Sequence, residues 1–143
     1  MKALLIIMFT VFFITIKSQD FNGKYYSTET SFQDKENPTN NFKAKAKIFI
    51  KINYNANSKS NNYITITDPE TPNVIHEYLL TSKAEKMPAS KHTTSSYLFK
   101  NSYNENSGTN SDIVIYYNNK NELNLLLANK DKSQALKGLV KMK

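Results

Sequence analysis

Two histidines, His76 and His92, are the only imidazoles in the 143-residue chain, and cysteine is absent. Any nucleophilic serine would depend on one of them as its base. Their settings argue against it: His76 lies in an apolar-flanked segment between Val74 and Tyr78, and His92 follows Lys91 in a polar one. With glycine only at positions 23, 108 and 138, the chain has neither a nucleophile elbow nor a phosphate-cradling loop. A metal site from His76, Glu77 and His92 would need neighbouring strands, and adjacent strand residues face opposite ways. Asp68 and Glu70 flank Pro69 in one short turn, well below calcium's six to eight oxygens. Glu77 and Glu122 are the acids inside expected strands, and a glycosidase pair would have to come from them. The chemistry is therefore that of recognition: no catalytic residue, no cofactor and no metal is expected.

The residue types that remain are lysine and tyrosine. Every cationic side chain is lysine; arginine is absent, and the formal net charge is +7. Lysine offers a point charge rather than a planar fork, so nucleic acid is not expected as a partner. Attraction to an anionic polymer or surface is the milder reading. Between Phe42 and Tyr54 apolar and polar residues alternate, placing Lys43, Lys45, Lys47, Phe49 and Lys51 on one face. That stripe, with Tyr25, Tyr116 and Tyr117, forms the candidate binding set. In the pairs Tyr25-Tyr26 and Tyr116-Tyr117 one ring should pack inward and its neighbour outward.

The elements that must position these side chains are strands. At about 3.3 Å per residue, Phe42 to Tyr54 would span roughly 43 Å, so a bend or bulge is expected inside it. Asn62 to Thr67 completes a hairpin, and Asp68 to Asn73 is a proline turn leading to a strand from Val74 to Thr81. Ser82 to His92 is expected as loop, Thr93 to Lys100 as strand, and Asn101 to Ser111 as loop. Asp112–Tyr117 and Glu122–Leu127 flank an asparagine-rich turn, a second hairpin. The C-terminal segment alternates from Leu136 to Met142, favouring a strand; a short helix capped by Ser133 is the alternative. With Gly23 to Ser27, the count is seven or eight strands. The fold class is all-β: one antiparallel meander forming a small barrel or sandwich.

The start of the chain sets its destination. Met1 and Lys2 precede an apolar run, Ala3 to Ile16, and then polar Lys17-Ser18-Gln19-Asp20. Fourteen residues cover roughly 21 Å as a helix, short of the ~30 Å hydrocarbon core, so residues 1–19 are expected as a signal peptide. Cleavage near Ser18 or Gln19 would leave residues 20–143 as one domain, periplasmic or extracellular, with no stable membrane span. Without Lys2 and Lys17, 17 lysines face 12 acids, a net charge of about +5.

Phe21-Asn22-Gly23-Lys24-Tyr25-Tyr26, opening such a meander, resembles the first strand of lipocalin-like (calycin-type) barrels, which begin with Gly-x-Trp. Tyr25 stands where the tryptophan would be, and the arginine that packs on it in that family has no counterpart. The resemblance implies a barrel fold. The leading expectation is a small exported binding module holding an apolar or mixed ligand in or on the barrel. The second is an envelope protein docking an anionic component through its lysine- and tyrosine-bearing faces. An exported hydrolase is third.

Overall fold

The chain forms eleven strands, most of them from β-forming and alternating residues, in a computed structural model that describes residues 20–143. The expected signal peptide lies outside the described residues. The strands are β1 (Gly23–Tyr26), β2 (Glu29–Asp34), β3 (Phe42–Ala44), β4 (Phe49–Asn53), β5 (Tyr63–Thr67), β6 (Ile75–Leu79), β7 (Glu85–Met87), β8 (Thr93–Asn104), β9 (Thr109–Asn118), β10 (Leu123–Asn129) and β11 (Lys132–Lys141). A single 3-10 turn, Pro38–Asn40, sits between β2 and β3. Among the described residues no helix is long and apolar enough to cross a membrane.

Antiparallel neighbours run β1-β4-β5-β6-β8-β9-β10-β11. β11 then pairs with β1 through Tyr25↔Lys141 and Tyr26↔Val140, which closes an eight-stranded barrel. β2 continues β1 along β11, β3 pairs with β2, and β7 follows β6 along β8. Closure leaves those eight strands without a free edge, the usual liability of an open sheet.

Register explains the core. Ile50 faces Ile66, Ile52 faces Ile64, Ile115 faces Leu125 and Ile113 faces Leu127. All eight are buried, as are Phe99 and Leu136. Each such side chain contributes on the order of 1.5–3 kcal/mol by leaving water. The interior is therefore packed with side chains along its length.

The long strand expected from Phe42 to Tyr54 is broken where a bend was required. β3 ends at Ala44 and β4 starts at Phe49. Ser27, at the matching break between β1 and β2, holds the interruption: its hydroxyl donates to Ala46 O at 2.8 Å and accepts from Ile48 N–H at 3.1 Å. The asparagine turn also forms as expected, with Asn121 at φ 59° and Asn118 Oδ1 accepting the N–H groups of Lys120 and Glu122.

The C-terminal segment is a strand, β11, and its helical alternative falls. Gly138 sits in it at φ 59°, donating its N–H to Asn124 Oδ1 at 3.0 Å where β11 bulges against β10. A Cβ there would collide with Thr28 Oγ1, so glycine lets β11 pass the bend after β1. Three expectations are corrected. The presumed loop Ser82–His92 contains β7, and the presumed loop Asn101–Ser111 shrinks to residues 105–108 between β8 and β9. β2 was not anticipated at all. In β2 and at the end of β8 the buried positions are polar: Thr30, Asp34, Ser102 and Asn104. Without apolar alternation these stretches look like loop.

Candidate functional site

Four aromatic rings gather at the end of the barrel where β1 begins. Tyr54 follows β4, Tyr97 and Phe99 belong to β8, and Phe21 precedes β1. Phe21 stacks on Tyr54 with centroids 5.9 Å apart, meets Tyr97 at 5.5 Å and abuts Phe99 edge-on at 6.0 Å. Tyr54 meets Phe99 in a T-shaped contact at 5.0 Å. Offset and edge-on pairs of this kind add roughly 0.5–1.5 kcal/mol each beyond their buried area. Phe21 is thus a stopper, 4% exposed, in the mouth of the barrel.

The stopper is fastened by two side chains of its own segment. Asn22 donates from Nδ2 to Tyr54 O at 2.8 Å and accepts Tyr54 N–H on Oδ1 at 2.7 Å, extending the β1–β4 ladder by one side-chain rung. Tyr25 points inward and donates its hydroxyl to Phe21 O at 2.8 Å. Burial pushes the Tyr25 phenol up to about 12, and the nearby Tyr117 and Asp20 act in the same direction. The proton that fastens Phe21 is therefore held well above neutral pH.

Beside the stopper lies an open cleft of about 670 Å³. Its apolar surface comes from Phe21, Tyr54, Ala84 and Tyr97. Its rim carries Asp20, Asn22, Asn53, Asn55, Asn57 and Lys86. Tyr54 is oriented by accepting Ala84 N–H on its hydroxyl at 3.0 Å, which ties the end of β4 to the approach to β7. Flat rings below and hydrogen-bonding groups with one charge of each sign above suit an amphipathic small molecule.

The residues singled out in the sequence fall in several places. Lys47, Phe49 and Lys51 do share the outer face of the barrel. Lys47 Nζ lies 4.8 Å from the Tyr26 ring centroid and 5.7 Å from that of Phe49, and Lys51 Nζ lies 5.2 Å from that of Tyr63. Lys43 is engaged by Glu29 at 3.2 Å, a carboxylate that Lys137 also reaches at 3.5 Å. A hydrogen bond from Lys43 and the two positive charges hold the Glu29 carboxyl below its usual range. Lys45 is exposed in the break between β3 and β4. Tyr25 is not on this face but inside the barrel. Tyr117 packs against the core, and Tyr116 is half-buried on the opposite side of β9, where burial raises its phenol. The expected inward–outward split of each tyrosine pair is what the structure has, with Tyr25 and Tyr117 turned in.

The weaker candidates stay apart. His76 pairs in register with Ile66, Glu77 with Thr65 on the other face, and His92 occupies an exposed turn. Asp68 caps its own turn by accepting Glu70 N–H at 2.9 Å, and Glu122 accepts from Asn118 in the β9–β10 turn. Among the described residues no group of three His, Asp or Glu side chains is placed to hold a metal.

Sequence reasoning missed the cleft residues Phe21, Asn22, Tyr54, Lys86 and Tyr97. The available signal was the aromatic at the end of the longest alternating stretch, Tyr54, together with the aromatic two residues before Gly23. What brings Tyr97 to them is barrel closure, which no local pattern encodes. Compared with protein-family models, with curated proteins and with solved structures, the chain finds no match.

Proposed function

We propose that this chain is a small exported binding module that takes one amphipathic small molecule in the cleft beside Phe21, without transforming it. The observation that carries the reading is the cleft of about 670 Å³ with Phe21, Tyr54 and Tyr97 on its apolar side and Asp20, asparagines and Lys86 around its rim. A flat apolar body would stack on the rings, and a polar head would meet the rim. The likeness of Gly23-Lys24-Tyr25 to the opening of lipocalin-like barrels supports it, since Tyr25 occupies an inward position and fastens the stopper. The leader-like residues 1–19 support export.

The test is a fluorescence titration of residues 20–143 with 1-anilinonaphthalene-8-sulfonate, a flat aromatic with one anionic head. The reading expects saturable one-to-one binding and a raised melting temperature. Tyr97→Ala should weaken binding about tenfold, near the upper end of one aromatic contact. Lys86→Gln should weaken it for this anionic probe and not for neutral N-phenyl-1-naphthylamine. Equal binding by Tyr97→Ala and the parent chain would reject the cleft as the site.

A further inference from the structure

A second concavity lies on the outer wall, away from the mouth. A shallow groove of about 300 Å³ crosses β1, β4 and β5, lined by Lys24, Phe49, Lys51, Thr65, Thr67 and Met142. Lys24 and Lys51 are direct cross-strand partners. Like charges opposite one another on adjacent strands destabilise the pair, so something must offset them or the arrangement costs stability. The ion pairs among the described residues are Lys43–Glu29, Lys137–Glu29, Lys100–Glu85 and Lys132–Asp34, and none includes Lys24, Lys47 or Lys51. The carboxylate nearest in register is Glu77, one strand further on and opposite Thr65.

We propose that this outer groove binds an acidic polysaccharide, with a carboxylate or sulfate between Lys24 and Lys51 and the sugar ring against Phe49. Each part of the groove meets one part of that ligand. Its anionic group supplies the countercharge that the two ammonium groups lack. Phe49 gives a half-exposed ring face in register between Tyr26 and Thr67, and Thr65 and Thr67 offer hydroxyls to sugar oxygens. Lys47 over Tyr26 and Lys51 over Tyr63 have their ammonium groups already placed by ring faces, which lowers the ordering cost of binding. A polymer chain follows the convex wall of a closed barrel, whereas a flat bilayer touches only a narrow line of it.

The experiment measures binding of residues 20–143 to heparin and to polygalacturonate, with neutral dextran and anionic phosphatidylglycerol vesicles alongside. Lys24→Gln with Lys51→Gln should weaken polysaccharide binding about tenfold. The control Lys100→Gln with Lys132→Gln removes the same charge elsewhere and should stay within about twofold. Phe49→Ala should weaken binding while leaving its salt dependence unchanged. Equal loss in the control pair would reduce the effect to net charge and overturn the proposal. So would binding to the vesicles in preference to both acidic polysaccharides, or to dextran as strongly as to heparin. The mouth variant Tyr97→Ala should not move these affinities, which keeps this result independent of the cleft.

Discussion

The two halves of the barrel are built differently. From β8 to β11 the strands are long and joined by short turns, and each continues without a gap along its neighbour apart from local bulges. From β1 to β7 they come in pieces, broken at residues 27–28, 45–48 and 80–84. The continuous half supplies Phe99, Ile113, Ile115, Leu125 and Leu136, which have almost no exposed surface. The interrupted half, with the N-terminal segment, supplies most of the lining of both the mouth cleft and the outer groove. The mouth cleft opens where the β4 ladder stops at Asn53, whereas the outer groove lies on unbroken rungs of β1, β4 and β5. The core is shared by both arcs, since Ile50, Ile52 and Ile64 of the interrupted half are also buried, so the halves differ in continuity and in the hollows they line.

The sharpest way to break that division is Phe99→Ala. It removes a fully buried ring that packs on Phe21 and Tyr54, and should cost about 3–5 kcal/mol in urea unfolding. A loss below about 1 kcal/mol would mean that this ring of the continuous half carries little of the fold's stability. Gly138→Ala tests the seam between the halves. A left-handed backbone and the collision with Thr28 should cost roughly 1–3 kcal/mol, read by the same unfolding curve.

Tyr25→Phe comes next, at about 1 kcal/mol, because it deletes one hydrogen bond to the stopper. It also has a pH signature. Since the folded phenol titrates at about 12 against an ordinary 10.0, its contribution is complete below pH 10 and is lost as the pH rises towards 12. The phenylalanine variant should therefore unfold less steeply with pH across that interval. Absorbance at 295 nm should show one late-ionising phenol fewer in the variant than in the parent chain, where burial also raises Tyr78 and Tyr116.

Asp34 gives the opposite sign at the far end of the barrel. The backbone N–H of Asn37 is the largest cause holding its carboxyl below the usual range, followed by Asn40, Lys132 and the Glu36 N–H against an opposing burial cost. Its contribution is present above the ordinary carboxylate pKa and is lost as the pH falls through the depressed one. Asp34→Asn should flatten the acid limb of stability below about pH 4. The smallest effect is expected from Lys47→Ala at the break in the interrupted half, within about 0.5 kcal/mol. A larger loss there would blur the contrast between the two arcs.

How much of this was visible in the residues follows the same division. The body of β4 announces itself because Ile50 and Ile52 alternate with Lys51 and Asn53, and the hairpin of β9 and β10 because two apolar, β-forming runs flank an asparagine-rich turn. β2 was invisible because its inward residues, Thr30 and Asp34, are polar and are accommodated by the fold rather than by composition. Asp34 is satisfied by backbone donors of the turn that follows it, a context no period reveals. β7 is three exposed residues held by its ladder to β8 and by the Glu85–Lys100 ion pair. The lysine stripe was legible as a face, but its partition was not. Glu29 engages Lys43 from a strand that could not be foreseen, while Lys24 joins Lys51 by register alone. The mouth cleft depends on Phe21, Tyr54 and Tyr97 meeting from three separate parts of the chain.

The central claim is that the aromatic mouth is where this barrel takes its ligand. The most direct measurement is a two-dimensional ¹H–¹⁵N NMR titration of residues 20–143 with N-phenyl-1-naphthylamine. The account predicts amide shifts concentrated at residues 20–22, 53–57, 84–86 and 97. Shifts centred instead on β2 and β3 at the opposite end, or on the outer wall of β4 and β5, would contradict it.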